Sequence, residues 1–294
     1  MNFAVVTDTA SNLLNCHVAE KKIHMIPLSY YIEGEEHTCL DTDSFNGDEY
    51  YAMIKRGVNV TTSQVTPQSY IDCFEPILKD GHDIIYVGLS SGVSGCCNSC
   101  RIAAGELMDK YPERKVAVID TRGASLGEGL IALKAADCRD EGMSLDDSVK
   151  LLEEMVLCMA QVFTVDDLMH LRKGGRLSNL SAVAGTVLHI KPLLIGNSEG
   201  KIVAISKLRG RKRSVEELAS RYDAHVVGHE NALVGIAHAG CRQDAEYLIE
   251  LLNKNKPPRE IITVDYEPVT GSHVGQGALA LFFPSHKDVR NMDK

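Results

Sequence analysis

The segment DIIYVGLSSGVSGCCNSC, residues 83–100, places serines, glycines and cysteines directly after an apolar stretch. Ile and Val dominate residues 83–89, which predicts a buried strand, and the small residues after the turn can enter a helix. Two interpretations follow. Gly88-Leu89-Ser90-Ser91-Gly92 fits the G-x-S-x-G pattern of a nucleophile elbow centred on Ser90. Alternatively, the turn aims hydroxyl and backbone N–H groups at an anion without forming any covalent bond.

Hydroxyl, cationic and imidazole side chains occur in three further short segments, TTSQ, RKGGR and GSHVGQG. All of these groups can donate hydrogen bonds, and a carboxylate or a phosphate accepts them only. The glycines around His273 indicate a glycine-rich loop whose backbone approaches another group closely. The inventory therefore predicts an anion site, and its candidate residues are Thr62, Ser63, Ser94, Gly95, Arg176, Ser272 and His273.

Each candidate also has a purely structural interpretation. Ser94 can cap the following helix, which is compatible with binding, and Arg176 can neutralise a helix C-terminus. A histidine such as His273 is more often a structural residue. The hydrolase alternative pairs Ser90 with His273 in the chain order of α/β-hydrolases, but no oxyanion-hole element and no intervening acid can be named.

Length, charge and hydropathy restrict the classes of protein that this chain can belong to. It has 294 residues, 44% of them hydrophobic, and a formal net charge of -9. The negative charge argues against general nucleic-acid binding, which depends on cations that neutralise phosphates. No signal peptide and no apolar run of about 18–20 residues is visible, so we expect a cytosolic protein without stable membrane insertion.

The nine cysteines require an interpretation that does not involve disulfides, because a reducing compartment keeps thiols free. Cys97 and Cys100 form a C-x-x-C pair with Cys96 beside it. A zinc site usually needs a second pair of ligands, and none is evident. The pattern favours small residues that pack at the start of a helix, and we expect no metal and no cofactor.

Three units of strand, polar turn and helix predict a parallel α/β sheet in the first half of the chain. Ligands of such sheets lie beyond the carboxyl ends of the strands, where all three polar turns fall. Between the first two units we expect a hairpin turning at Glu33-Gly34. Two further helices are expected, and Thr66 caps the second of them. The predicted strands are 3–8, 83–89 and 116–120, and the predicted helices are 13–21, 48–56, 67–78, 98–110 and 126–140.

The second half mixes hairpins with helices, which predicts an α+β domain with a partly antiparallel sheet. We expect a helix over 144–159 capped by Ser144, and a short helix over 166–173 that ends at Gly174-Gly175. A hairpin should turn at residues 197–200. The remaining predicted elements are helices 181–190 and 243–254 and strands 232–239, 259–266 and 278–283. The predicted domains are therefore an N-terminal α/β domain, 1–155, and a C-terminal mixed domain, 156–294.

The segment SKLRGRKRS, residues 206–214, concentrates positive charge. Nucleic-acid binding usually adds aromatic platforms, and only 5% of the residues are aromatic. A solvated helix start and a docking surface for an acidic protein remain as interpretations.

The order of these motifs resembles the DegV family of bacterial fatty-acid-binding proteins. The motifs that carry the resemblance span residues 3–283 and are TDTAS, TSQVTP, SSGVSG, DLMHLRKGGRLS, KPLL and GSHVGQGALALFF. The resemblance implies two domains with one acyl chain, such as palmitate, in a slot between them. It implies that Thr62 and Ser94 hold the carboxylate, with Arg176 and His273 in the same polar network.

The resemblance also implies a partner and a metabolic role. Arg209, in KLRGRKR, matches the position at which the family meets its kinase subunit. That subunit is an ATP-binding protein of the dihydroxyacetone-kinase type, which converts the bound fatty acid to an acyl-phosphate for phospholipid metabolism. The chain itself would then be a lipid-binding subunit and not an enzyme.

This sequence departs from the family pattern at several positions. Cys96-Cys97 stands where the family usually has Thr-Tyr, and His170 stands where an aromatic is typical. TSQVTP replaces the commoner Thr-Ser-Gln-Pro, and GSHVGQG replaces Gly-Gly-His-x-Gly-Pro-Gly. The hydroxyl, arginine and histidine positions of the predicted site are retained.

Overall fold

A computed structural model describes residues 3–178 and 190–291, which form two compact units. Unit 1 comprises Met1–Phe45 and Thr61–Val156, and unit 2 comprises Asn46–Val60 and Leu157–Lys294. The division into domains at residue 155 stays a prediction.

The elements of the first half of the chain are, in order, β1 (Phe3–Asp8), α1 (Asn15–Glu20), β2 (His24–Ile26), β3 (Ser29–Ile32), β4 (Glu35–Thr38), α2 (Gly47–Lys55), β5 (Val60–Ser63), α3 (Pro67–Lys79), β6 (Asp83–Gly88), α4 (Cys96–Lys110), β7 (Val116–Asp120), α5 (Leu126–Asp140) and α6 (Leu145–Cys158). Those of the second half are β8 (Met159–Thr164), α7 (Met169–Lys173), β9 (Ile190–Gly196), β10 (Ile202–Arg209), α8 (Arg211–His225), β11 (Leu233–His238), α9 (Arg242–Asn255), β12 (Glu260–Asp265), α10 (Pro268–Val274) and β13 (Leu279–Pro284).

Unit 1 contains a four-stranded sheet in the order β2-β1-β6-β7. Every pair of neighbouring strands in it is parallel, which confirms the predicted α/β architecture. The two central strands, β1 and β6, are almost completely buried, as their runs of Val and Ile require in a parallel sheet. All three predicted polar turns follow the carboxyl ends of β1, β6 and β7 and therefore meet at one edge. A second sheet joins the hairpin of β3 and β4 to β5.

Local signals place several helices of unit 1. The Thr66 hydroxyl accepts a hydrogen bond from the Ser69 N–H at 3.2 Å, and Pro67 occupies the first helical position of α3. Ser144 likewise accepts from the Asp147 N–H at 3.1 Å before α6. Both predicted caps are confirmed. Helix α4 begins at Cys96, two residues earlier than predicted.

Unit 2 contains a mixed sheet of six strands in the order β10-β9-β8-β13-β11-β12. Only the pairing of β11 with β12 is parallel among these strands, which confirms the mixed sheet expected for this half. Helices α8 and α9 pack on one face over a core that includes Leu279, Leu281 and Phe283. The predicted hairpin turn lies between β9 and β10, and β10 is an edge strand with a β-bulge between Ala204 and Ser206.

Some expectations for unit 2 need correction. The segment around His273 is helix α10 and not a loop, because the Glu267 side chain caps its first turn and Pro268 begins it. Helix α7 begins at Met169, since Asp166 lies before it in an ion pair with Lys191 at 2.6 Å. The helix expected over 181–190 falls on residues 181–189, which lie outside the described part of the chain, and Ile190 begins a strand.

Candidate functional site

Unit 1 brings the TTSQ and SSGVSG segments together. Thr62 and Ser63 end strand β5, and Gln64 follows them. The Gln64 amide donates from Nε2 to the Ser99 hydroxyl of α4 at 3.2 Å. A Cβ atom on Gly95 would lie 1.9 Å from Gln64 Oε1, so the Gln64 side chain in this position packs directly against the backbone of Gly95. The half-buried hydroxyls of TTSQ therefore lie on the chain segment that packs against the start of α4.

Ser94 lies directly before α4 and interacts with its first residue. The Ser94 hydroxyl oxygen accepts from the Cys96 N–H at 3.3 Å and lies 3.2 Å from Cys96 Sγ. It therefore satisfies one of the N–H groups that a helix start leaves unpaired. Helix α4 has 15 residues, and the positive end of its dipole favours an anion at this position.

The other serines of the turn are engaged within it. Ser90 is 1% exposed, and its hydroxyl oxygen accepts from the Gly92 N–H at 3.1 Å. Ser91 donates to the carboxylate of Asp120 at the end of β7. A nucleophile elbow presents an exposed serine hydroxyl, so the burial of Ser90 favours anion binding over nucleophilic catalysis at this turn.

The cysteines of this turn are buried in the start of α4. Burial raises the pKa of Cys96 to about 11 and raises the pKa of Cys97 and Cys100 further, so all three stay protonated thiols at neutral pH. Cys97 donates to the Leu89 carbonyl at 3.2 Å. These observations favour the packing interpretation over redox chemistry. In residues 3–178 and 190–291, no cluster of three or more His, Cys, Asp or Glu side chains can hold a metal ion.

Unit 2 holds the imidazole and guanidinium candidates together. His273 lies on α10 against the backbone of Gly174, where a Cβ would lie 2.8 Å from His273 Nδ1. The Arg176 guanidinium donates to the Gly174 carbonyl. Burial, reinforced by the nearby positive charge of Arg176, lowers the pKa of His273 to about 4. At neutral pH the arginine is therefore the cation, and the histidine is a neutral hydrogen-bonding group.

The glycines of GSHVGQG make room for side chains of unit 2. A Cβ on Gly271 would lie 2.0 Å from the Tyr51 hydroxyl, and one on Gly275 would lie 2.4 Å from the His170 ring. Close approach was expected at these glycines, and internal packing accounts for it. The Ser272 hydroxyl donates to the Val269 carbonyl at 2.8 Å, so its hydrogen is used within α10.

The structure separates the members of the basic segment. Arg211 forms an ion pair with Asp244 at 2.8 Å, and it lies 3.7 Å from Asp166. Arg209 is the last residue of β10 and is exposed, as is Arg213 in the first turn of α8. Arg211 is therefore an internal structural residue, and Arg209 presents its charge at the surface.

A network around Asp8 was not anticipated from the sequence. Asp8 ends β1, is completely buried and accepts from the Tyr86 hydroxyl at 2.6 Å and from the Ala10 N–H at 2.9 Å. The Leu89 N–H and Glu128 also contribute hydrogen bonds to it. Burial raises its pKa to about 6 against these bonds. The sequence signal for this network was the polar turn TDTAS after a buried strand. The residues that bond Asp8 lie too far along the chain to be identified from that turn.

None of the helices within residues 3–178 and 190–291 is long and apolar enough to cross a membrane. Known proteins match this chain over almost its whole length. A DegV domain-containing protein of Clostridium perfringens is 35% identical over 96% of this chain and 97% of its own length.

Solved structures match over almost the full length as well. The crystal structure of DegV, a fatty-acid-binding protein from Bacillus subtilis, has a TM-score of 0.83 and 31% identity, covering 97% of this chain and 100% of that one. A DegV family protein from Thermus thermophilus, described by its fatty acid binding, has a TM-score of 0.88 and 27% identity with the same coverage. The DegV family profile matches residues 2–286, so this chain belongs to the DegV family.

Proposed function

We propose that this protein binds a long-chain fatty acid such as palmitate and holds its carboxylate with the hydroxyls of Thr62 and Ser94. The observation that carries this proposal is the likeness to the fatty-acid-binding DegV protein of Bacillus subtilis, at 31% identity over 97% of the chain. The packing of Gly95 against Gln64 supports it, because this contact brings the two hydroxyl segments of unit 1 together.

The chemistry of the candidates suits a carboxylate. Ser94 lies at the positive end of a 15-residue helix, and Ser63 and Gly95 flank the two principal donors. Arg176 supplies the positive charge of the unit 2 cluster, with His273 as its neutral neighbour. Each charge-assisted hydrogen bond contributes about 1.5–3 kcal/mol, which offsets the cost of removing the carboxylate from water.

The acyl tail supplies most of the affinity in this proposal. Removing about fifteen methylene groups from water is worth roughly 0.8 kcal/mol each, on the order of 12 kcal/mol before the costs of binding. The polar groups then determine the orientation of the ligand more than its affinity.

Extraction of the purified protein with organic solvent, followed by mass spectrometry, tests the ligand class. We expect one C14–C18 fatty acid per chain. An empty extract together with no uptake of added palmitate would refute the proposal.

Substitutions test the roles of the hydroxyls. Thr62→Ala and Ser94→Ala should each weaken palmitate binding by roughly ten- to a hundredfold, the value of a charge-assisted hydrogen bond. Thr61→Ala is the matched control, because Thr61 is the exposed neighbour on the same strand and points to its other face. Equal affinities for all three variants would remove Thr62 and Ser94 from the site.

The chain performs no chemistry itself in this proposal but presents the carboxylate to an ATP-binding kinase subunit. A carboxylate oxygen attacks the γ-phosphorus of ATP, and the bond between that phosphorus and the β,γ-bridging oxygen breaks. The products are an acyl-phosphate and ADP. Arg209 is the proposed docking residue because it matches the position at which the family meets its kinase subunit, and its exposure at the end of β10 is compatible with that role.

The docking role is tested with Arg209→Ala and with Arg213→Ala as the matched exposed arginine of the same segment. Arg209→Ala should keep wild-type palmitate affinity and slow phosphoryl transfer when the kinase subunit and ATP are added. Loss of palmitate binding, or equal slowing by both variants, would contradict it.

In the same assays Ser90→Ala should leave binding unchanged, and loss of an intrinsic esterase activity in that variant would restore the hydrolase alternative.

A further inference from the structure

Within unit 1, the side chain of Gln64 joins the TTSQ segment to the start of α4. Its Nε2 donates to the Ser99 hydroxyl at 3.2 Å, although the two residues are 35 positions apart in the chain. Its carboxamide covers the backbone of Gly95, where a Cβ would lie 1.9 Å from Gln64 Oε1 and 2.8 Å from its Cδ. We call these three residues, Gln64, Gly95 and Ser99, the glutamine clip.

The two ends of the clip differ in burial. Ser99 is 3% exposed, and its N–H donates to the Gly95 carbonyl at 3.0 Å, so the acceptor is fixed within α4. Gln64 is exposed, and water can replace its partner when the bond is broken. The bond therefore adds little to folding stability, and its main consequence is where the TTSQ segment lies against α4.

The position of this segment decides which of its hydroxyls points to α4. Thr61, Thr62 and Ser63 follow one another at the end of β5, and Gln64 comes directly after them. Alternate side chains of an extended chain point to the same side, and a shift of one residue exchanges the two sides. Because Gln64 points to the start of α4, we expect the Thr62 hydroxyl to point there too.

The second proposed ligand residue lies at the other end of the same contact. Ser94 directly precedes Gly95, and its hydroxyl accepts from the Cys96 N–H at 3.3 Å in the first turn of α4. The clip is thus two residues from Thr62 on one segment and next to Ser94 on the other. It also brings no charge, so the positive end of the α4 dipole is left to a ligand anion.

We propose that the glutamine clip selects Thr62 among the three consecutive hydroxyls and holds it beside Ser94, so that the site prefers a carboxylate to an uncharged head group. This rests on the proposed function, in which Thr62 and Ser94 donate to a fatty-acid carboxylate. Gln64 and Ser99 are then positioning residues, which act on the ligand through Thr62 and do not touch it.

Three variants and one control test the clip. Gln64→Ala removes the donor, Ser99→Ala removes the acceptor, and the double variant removes both. Gln68→Ala is the matched control, because Gln68 is also exposed and its Nε2 donates to Asp72 within α3 at 2.8 Å. Thermal unfolding of each variant confirms that it is folded.

The experiment measures the Kd for palmitate and for 1-hexadecanol, which has a tail of the same length and no charge, by displacement of a fluorescent fatty acid. Gln64→Ala and Ser99→Ala should each raise the Kd for palmitate about five- to tenfold, the value of one hydrogen bond to the head group. The Kd for 1-hexadecanol should not change. The double variant should be no weaker than either single variant, because both changes remove the same contact.

A second cycle asks whether Gln64 acts through Thr62. Thr62→Ala should weaken palmitate binding less in the Gln64→Ala background than in the wild type, because Thr62 is no longer held beside Ser94. An equal loss in both backgrounds would show that the clip does not position Thr62.

Other outcomes separate the clip from the proposed function. The clip is refuted if folded Gln64→Ala keeps the wild-type preference for palmitate, if it weakens both ligands equally, or if the losses of the two single variants add. Each of these results leaves palmitate binding by the wild type, and with it the proposed function, intact. Absence of palmitate binding by the wild type refutes both.

Discussion

Unit 1 buries Asp8 among hydroxyls, thiols and a second carboxyl, whereas unit 2 buries His273 beside the Arg176 guanidinium. In both cases burial disfavours the charged form, so the pKa of the acid rises to about 6 and the pKa of the histidine falls to about 4. Burial therefore shifts both side chains towards their neutral forms, which for Asp8 is the protonated acid and for His273 the deprotonated imidazole. One physical cause therefore gives the two units opposite responses to pH.

Among these predictions, His273 should give the greatest change in folding stability with pH. Its folded pKa of about 4 lies below its ordinary value of 6.5, so the unfolded chain binds the proton more readily. The stability from neutral His273 is present above pH 6.5 and is lost as the pH falls towards 4. At about 1.4 kcal/mol per pKa unit, the loss is about 3 kcal/mol.

Urea unfolding of the wild type and His273→Gln at several pH values measures this loss. Between pH 6.5 and 4 the variant should lose about 3 kcal/mol less stability than the wild type, because every other titrating group is common to both proteins. His286→Gln, at an exposed position, should match the wild type. The same pH profile for all three proteins would contradict the burial of an uncharged His273.

Asp8 should give a slightly smaller effect of the opposite sign. Its folded pKa of about 6 exceeds its ordinary 3.8, so the folded state holds the proton more tightly. Its contribution to stability, about 3 kcal/mol, is present below pH 3.8 and is lost as the pH rises to 6. In urea unfolding, the change in stability between pH 3.8 and 6 should differ between Asp8→Asn and the wild type by that amount, whereas the exposed control Asp109→Asn should match the wild type. The same change in Asp8→Asn and in the wild type would contradict the burial of a protonated Asp8.

The glycines of the two units provide a third comparison. Gly271→Ala in unit 2 places a Cβ against the hydroxyl of Tyr51, which is fully buried and donates to the Tyr266 carbonyl at 2.6 Å. We expect a loss of about 2 kcal/mol in the free energy of unfolding.

Gly95→Ala in unit 1 meets the end of the Gln64 side chain, which can rotate away, so its cost should be about 0.5 kcal/mol. Its main effect should be on palmitate binding. Thermal unfolding of the two variants measures the difference, and equal costs would show that Tyr51 also has room to move.

Much of the fold was predictable because its signals are local. The apolar segments that end in polar turns predicted β1 and β7 with the bounds that the structure shows, and the helix expected after the third turn is α5. Thr66 and Ser144 identified two helix starts through their hydroxyls. In each case one short segment contains both the signal and the structure.

What could not be predicted depends on contacts between distant segments. Helix α10 has seven residues including Gly271, so it has too little periodicity to distinguish it from a loop. Helix α2 belongs to unit 2 because Tyr50 and Tyr51 donate to the carbonyls of Pro268 and Tyr266, more than 200 residues later.

The candidate site shows the same limit. The identities of its hydroxyl, arginine and histidine residues were readable from short motifs. The burial that keeps His273 neutral, and the tyrosines that reach Asp8, depend on tertiary packing. Asp8 and Tyr86 are 78 residues apart in the chain and 2.6 Å apart in space.

The bulge in β10 has a consequence for how the protein behaves at high concentration. An edge strand offers unpaired N–H and C=O groups as a template for strands of other molecules, which is a route to fibrils. The bulge between Ala204 and Ser206 interrupts the regular spacing of those groups, and Lys207 and Arg209 add exposed positive charges after it. Leu177 already pairs with Ile202 at the start of this edge, and the positive charges of two copies would repel each other along the rest of it, so we expect β10 to be a poor seed for aggregation.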